Sequence, residues 1–187
     1  MKYFKLLFDY EHDRDYVYCN RMNLEESYRY IESAGEKIVL DNKIKLFIDD
    51  NSGNVFPDYL PNCYCWFIIS EKFKEIISRL MEINIQFLKV SLTDPTGNEL
   101  LNKYYVANIL DIVDAIDLKE SEYDIYSYKD IEVYSFRKYA LQSKMLNDKH
   151  IFRLKKSTIP IFVSEQFKKL VQKHHLSGVD FLEVKIV

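Results

Sequence analysis

Two stretches of the chain carry the same order of apolar and polar positions. Phe67 to Leu92 reads FIISEKFKEIISRLMEINIQFLKVSL, and Ile161 to Ile186 reads IFVSEQFKKLVQKHHLSGVDFLEVKI, aligning without a gap. Seven positions are identical: Ser70/Ser164, Glu71/Glu165, Phe73/Phe167, Lys74/Lys168, Phe87/Phe181, Leu88/Leu182 and Val90/Val184. Each stretch opens with three apolar residues, Phe67-Ile68-Ile69 or Ile161-Phe162-Val163, which predict a buried strand. The serine that follows predicts a helix N-cap, because its hydroxyl can accept from a free N–H of the first turn. Glu71 or Glu165 then sits where the positive end of the helix dipole favours it. Phe73, Ile76, Ile77 and Leu80 fall at helical spacing, as do Phe167, Leu170 and Val171. Asn84 and Gly178 tolerate the left-handed backbone that ends helices, and a second strand follows each. These units at 67–92 and 161–186 are expected to build the core first. Their functional reading is a pseudo-symmetric cleft between them.

Elsewhere the pattern predicts an opening strand over Met1 to Phe8 and another at Tyr16-Val17-Tyr18. Asn23 with Glu26 has capping-box spacing, so a helix is expected there, with Leu24, Tyr28 and Ile31 as its apolar stripe and Gly35 as its stop. Lys43 to Ile48 reads as a strand. Asp49 to Asn54 and Asp94 to Asn98 are turn clusters, the second joining two strands in a hairpin-like connection. Tyr104 to Asp117 starts β-rich, and Arg137 to Leu141 and His150 to Leu154 read as strands around a loop or short helical turn at Ser143 to Asp148. The sum is an α+β fold, a mixed sheet with about three helices and two strand–helix–strand units. The 187 residues fit a single domain, 1–187.

Composition narrows the function classes. A formal charge of −3 argues against a general nucleic-acid binder, which needs a basic face. No run of about 18 apolar residues exists to span a membrane, and the opening residues are not expected to act as a signal peptide. The odd set Cys19, Cys63 and Cys65 does not suit a disulfide framework. The expected place is the cytoplasm. Fifteen tyrosines suit sheets and contact surfaces alike.

The candidate chemistry is sparse. Cys63-Tyr64-Cys65 puts two thiols on one face of an extended segment, but His12, His150, His174 and His175 offer no pair of partners at zinc-site spacing. No cofactor or metal is expected, nor a phosphate loop or nucleophile elbow. The densest charge feature is Asp111, Asp114, Asp117, Glu120, Glu122 and Asp124. It reads as a solvated face first, then as a contact surface for a basic partner, and only remotely as catalytic carboxylates.

One resemblance goes further. Tyr104-Tyr105-Val106-Ala107-Asn108, Asp114-Ala115-Ile116-Asp117, Ser121-Glu122-Tyr123, His150 to Leu154, Val163 to Phe167 and Gly178 to Phe181 follow one another in a family-like order. Over 66–187 the chain resembles a bacterial family first filed as a domain of unknown function and later classed as immunity proteins of polymorphic toxin systems. Residues 1–60 match it only loosely and are expected to vary with the partner. The resemblance implies a small protein, not an enzyme, that binds and blocks a cognate toxin. The competing expectations are a small enzyme with its site between the two units, which would need a deep polar pocket, and an oligomerising scaffold.

Overall fold

A computed structural model describes residues 1–80, 83–128 and 131–187. Met81 and Glu82, which belong to the first of the two aligned stretches, lie outside the described residues. The fold is α+β. In chain order its elements are β1 (Tyr3–Phe8), β2 (Cys19–Met22), β3 (Ile44–Ile48), β4 (Ile68–Ser70), α1 (Glu71–Ile77), β5 (Ile85–Thr93) and β6 (Tyr104–Ile109). There follow β7 (Ile112–Val113), β8 (Glu122–Tyr128), β9 (Ile131–Lys138), β10 (Ala140–Leu141), β11 (Ile151–Leu154), β12 (Ser157–Ser164), α2 (Glu165–Lys173) and β13 (Val179–Ile186). Three sheets result, ordered β10-β13-β1-β12-β11-β7, β2-β3-β5-β6-β4 and β8-β9.

Ser70 and Ser164 both have extended backbone, and their side chains accept from the N–H of Phe73 and Phe167 respectively. Each serine cap leaves its helix pinned at the end of a strand, so the apolar stripe has one direction in which to pack. Phe73 and Phe167 meet, ring centroids 6.1 Å apart, where α1 lies on α2. Around them Phe4, Leu6, Phe67, Ile69, Ile76, Ile77, Val163 and Val171 form one core shared by both large sheets.

The strand pairing around the two helices runs in parallel register. β6 lies between β4 and β5 and is antiparallel to both, Tyr104 facing Ser70 on one side and Val90 on the other. β1 lies between β12 and β13 and is antiparallel to both, Tyr3 facing Ser164 and Val184. Smaller contacts follow suit. The N–H of Glu71 donates to the Lys103 carbonyl and that of Glu165 to the Lys2 carbonyl, both at 3.0 Å. The Lys74 ammonium lies over the Phe87 and Tyr105 rings at 5.4 and 4.0 Å, and that of Lys168 over Phe181 and Phe4 at 5.4 and 4.2 Å. The strand that completes the first unit follows it in sequence, whereas the one that completes the second is the N-terminal strand.

Several elements differ from the sequence pattern. The helix expected after Asn23 is two 3-10 turns, Glu26–Tyr28 and Ile31–Ser33. Asn23 does not cap it. Its amide donates to the Lys43 carbonyl and its oxygen accepts from the Lys45 N–H, which spends the side chain on β3 instead. Tyr16 makes only an isolated bridge to Val55, and the strand begins later, at Cys19. α1 ends at Ile77, before Leu80. The strand expected over Arg137 to Leu141 is split between the end of β9 and β10, and β9 pairs with β8 in a hairpin that the sequence pattern does not predict.

Candidate functional site

Each acidic residue of the 111–124 stretch has a partner within the chain. Asp111 meets Lys149 at 2.7 Å and Asp114 meets Lys155 at 3.8 Å. Glu120 meets Lys185 at 2.5 Å, Glu122 meets Lys138 at 2.7 Å and Asp124 meets Arg137 at 3.3 Å. Asp117 accepts from the backbone N–H groups of Lys119 and Glu120 and holds a turn. The structure spreads the six along β7, a turn and the root of the β8–β9 hairpin rather than gathering them into one cluster. Apart from the half-buried Asp111–Lys149 pair these are surface pairs, which stabilise little, but a partner's cation has to compete with the cation already present.

The thiols and histidines do not converge. Among the described residues no three of His, Cys, Asp and Glu come close enough to hold a metal ion. Burial pushes the Cys19 thiol up to about 12 and also raises that of Cys63, so neither supplies a thiolate near neutral pH. His150 is buried, its Nδ1 2.8 Å from the Ser164 hydroxyl, where it braces the α2 cap.

A different site comes from residues scattered along the chain. A groove of about 590 Å³ opens between β1 and β12 on one side and the loop residues 59–65 on the other, lined by Lys5, Leu7, Tyr10, Tyr18, Tyr59 and Ile159 among others. Its lining contains no carboxylate. A smaller concavity of about 250 Å³ adjoins it, shares Cys65 and Ile159 with it, and adds Tyr30 and Tyr64. Tyr10, Tyr30 and Ile159 are 73%, 64% and 60% exposed, far more than large apolar groups in a finished core. Cys65, one of the two residues common to both hollows, has φ 56, a left-handed conformation that costs a non-glycine residue energy and tends to occur at functional surfaces.

Both walls are braced from below. Arg153 and Glu32 form an ion pair at 2.5 Å with almost no solvent access. Glu32 belongs to the 3-10 turn next to Tyr30. Arg153, on β11, also donates to the carbonyls of Thr158 and Ile159. One guanidinium therefore fixes the Ile159 wall to the Tyr30 wall. The indole N–H of Trp66 adds a bond to the Arg29 carbonyl at 2.8 Å, and the Tyr64 hydroxyl one to the Leu24 carbonyl at 3.0 Å. A second hollow, about 520 Å³, lies among turn residues such as Asn20, Asp50, Asp94 and Gly97. It is the more polar of the two and contains no tyrosine.

A preformed, tyrosine-rich, apolar groove without converging catalytic groups has the composition of a protein contact site. The model of one protein family, described as an immunity protein family (Imm11), matches residues 2–186. The chain belongs to the Imm11 immunity protein family. The match takes in the N-terminal part as well as 66–186, in keeping with β1 sitting between β12 and β13. A search of the curated proteins finds no match. Family membership gives this Imm11 chain an immunity role, and no helix among its described residues is long and apolar enough to cross a membrane.

Proposed function

We propose that this Imm11 protein binds a cognate toxin domain and neutralises it by protein–protein contact, without catalysis, in the cytoplasm of the cell that it protects. The observation that carries this is the braced tyrosine-lined groove. Tyrosine gives a large contact area for little lost rotamer freedom, and a rigid groove avoids the ordering cost that binding otherwise incurs. We place the centre of the contact there and give Asp111, Asp114, Asp117, Glu120, Glu122 and Asp124 a peripheral role, because each would have to trade an existing partner for a new one. The enzyme reading needs polar groups converging in a pocket with pKa values tuned to proton transfer. In this groove burial raises the hydroxyls of Tyr18 and Tyr59, which moves them away from the range in which a general base works near neutral pH.

The test is a titration of the purified protein with the toxin domain encoded beside its gene, followed by co-expression. Binding with Kd of about 10⁻⁷ to 10⁻¹⁰ M, usual for interfaces of standard size, and rescue of growth are expected. Absence of both with every neighbouring toxin overturns the proposal.

A further inference from the structure

The parallel register of the two units locates what the groove lacks. In the first unit Ile68, Val106 and Leu88 lie side by side across β4, β6 and β5. That face is covered: Ile68 and Val106 are buried, with Trp66, Leu60, Leu24 and Ile31 packed over the same cluster. In the second unit the matching row is Phe162, Lys5 and Leu182 across β12, β1 and β13. Here the cover is partial. Tyr139 lies edge-on against Phe162, with ring centroids 5.0 Å apart, but Leu182 stays 55% exposed and Lys5 lines the groove. The position that holds buried Val106 in the first unit holds a lysine in the second.

We infer, resting on the binding role proposed above, that the toxin supplies the missing cover as a segment pairing an apolar side chain with a carboxylate, the carboxylate meeting Lys5. The charge argument is direct. Among the described residues no carboxylate lies within ion-pair distance of Lys5, and none lines the groove around it. In the adjoining hollow the one acid, Glu32, is already tied to Arg153. The Lys5 ammonium rests over the Tyr139 ring, 5.9 Å from its centroid, but has no anionic partner among the described residues, and a cation so placed among tyrosine, leucine and proline surfaces favours an anionic group brought in with apolar surroundings. The pair would form where water is expelled, so it sets specificity more than bulk affinity.

The experiment uses the full-length protein and the toxin domain encoded beside its gene. Lys5→Met keeps the length and apolar stem of the side chain and removes only the charge. Its thermal melt, compared with that of the unaltered protein, checks folding. Lys5→Met is expected to weaken binding roughly tenfold to a hundredfold and Lys5→Glu more, with the salt dependence of Kd flattened in the first and reversed in the second. Tyr10→Ala and Ile159→Ala, both at exposed positions, are expected to weaken binding without altering that salt dependence. If the unaltered protein binds but Lys5→Met leaves Kd unchanged, or Lys5→Glu tightens it, this inference fails while the binding role stands. If the unaltered protein neither binds nor protects, the binding role fails and this inference with it. Self-association of the unaltered protein through this face, lost in Ile159→Ala, would make a second copy the occupant and overturn the inference on its own.

Discussion

The two serine-capped units differ most in what surrounds a shared frame. In the first, the cap Ser70 hydroxyl donates to Asp58 at 2.6 Å, and Asp58 also accepts from the N–H and hydroxyl of Ser177. In the second, the cap Ser164 is wholly buried and shares a hydrogen bond with the ring of His150. The backbone places Asp58 and His150 alike, since the N–H of Ser70 donates to the Asp58 carbonyl and that of Ser164 to the His150 carbonyl. The outer faces diverge as well. The chain closes over Val106 but leaves Lys5 lining a groove. The same strand–helix–strand frame thus serves once as sealed core and once as open surface, and the difference lies in loops and flanking strands rather than in the frame.

The comparison breaks most severely where the units touch. Phe73→Ala or Phe167→Ala removes a fully buried ring from the core common to both and should cost about 3–5 kcal/mol each in urea unfolding. Because the two rings share one contact, the double variant should cost less than the sum of the singles. Additive losses would mean that the helices are held independently.

Arg153→Met tests the bracing of the groove. It strands a buried Glu32 carboxylate and should cost about 3–5 kcal/mol near neutral pH, whereas replacing both partners with apolar residues should cost much less. Burial already holds the Glu32 carboxyl above its ordinary value of 4.5, beside the guanidinium that pulls it down. A carboxyl raised in the folded state contributes stability that is complete below its unfolded pKa and is lost as pH rises through its folded pKa. Removing Arg153 raises Glu32 further. The penalty of Arg153→Met should therefore shrink as pH falls toward about 4.5, which unfolding curves at several pH values would show. A pH-independent penalty would mean that Glu32 is not what the variant strands.

How much of this was legible in the sequence depended on whether the signal was local. Ser70-Glu71 and Ser164-Glu165 announce helix starts because the cap is satisfied within one turn. Asp94 to Asn98 announces its turn because the Asp94 carboxylate is satisfied by Thr96 and Asn98. The 3-10 turns after Asn23 were misjudged because the Asn23 side chain is claimed by β3, some twenty residues away. The β8–β9 hairpin was hidden by charge. Glu122 and Asp124 alternate with Tyr123 and Ile125 at strand period, but the acids drew the reading toward a solvated stretch. The groove could not be read at all, since Lys5, Tyr10, Tyr18, Tyr30, Cys65 and Ile159 meet only through tertiary packing. The matching placement of β1 and β6 is equally hidden in the sequence, because one precedes its unit and the other follows.

The two caps should respond unequally. Ser70→Ala loses a cap worth about 1 kcal/mol, while Asp58 keeps its bonds to Ser177. Ser164→Ala loses a similar cap and also leaves the buried His150 ring without that hydrogen bond, so roughly 2 kcal/mol is expected. Equal losses would show that His150 finds another partner.

The smallest expected effect on stability is the most telling for function. Lys5→Val gives the second unit the residue that the first has at the matching position, Val106. Valine favours strands, Lys5 makes no ion pair among the described residues, and its ammonium lies 5.9 Å from the Tyr139 ring centroid, at the far end of cation–π range, so unfolding should change by no more than about 0.5 kcal/mol. Where the first unit buries its valine under Trp66 and its neighbours, the second would present one to solvent and to the toxin. Stability would then be kept while toxin binding weakens, which separates a lysine placed for a partner from one placed for the fold. A Lys5→Val protein that unfolds well below the unaltered one would show instead that the lysine stem supports the sheet, and the two outer faces would differ for structural reasons alone.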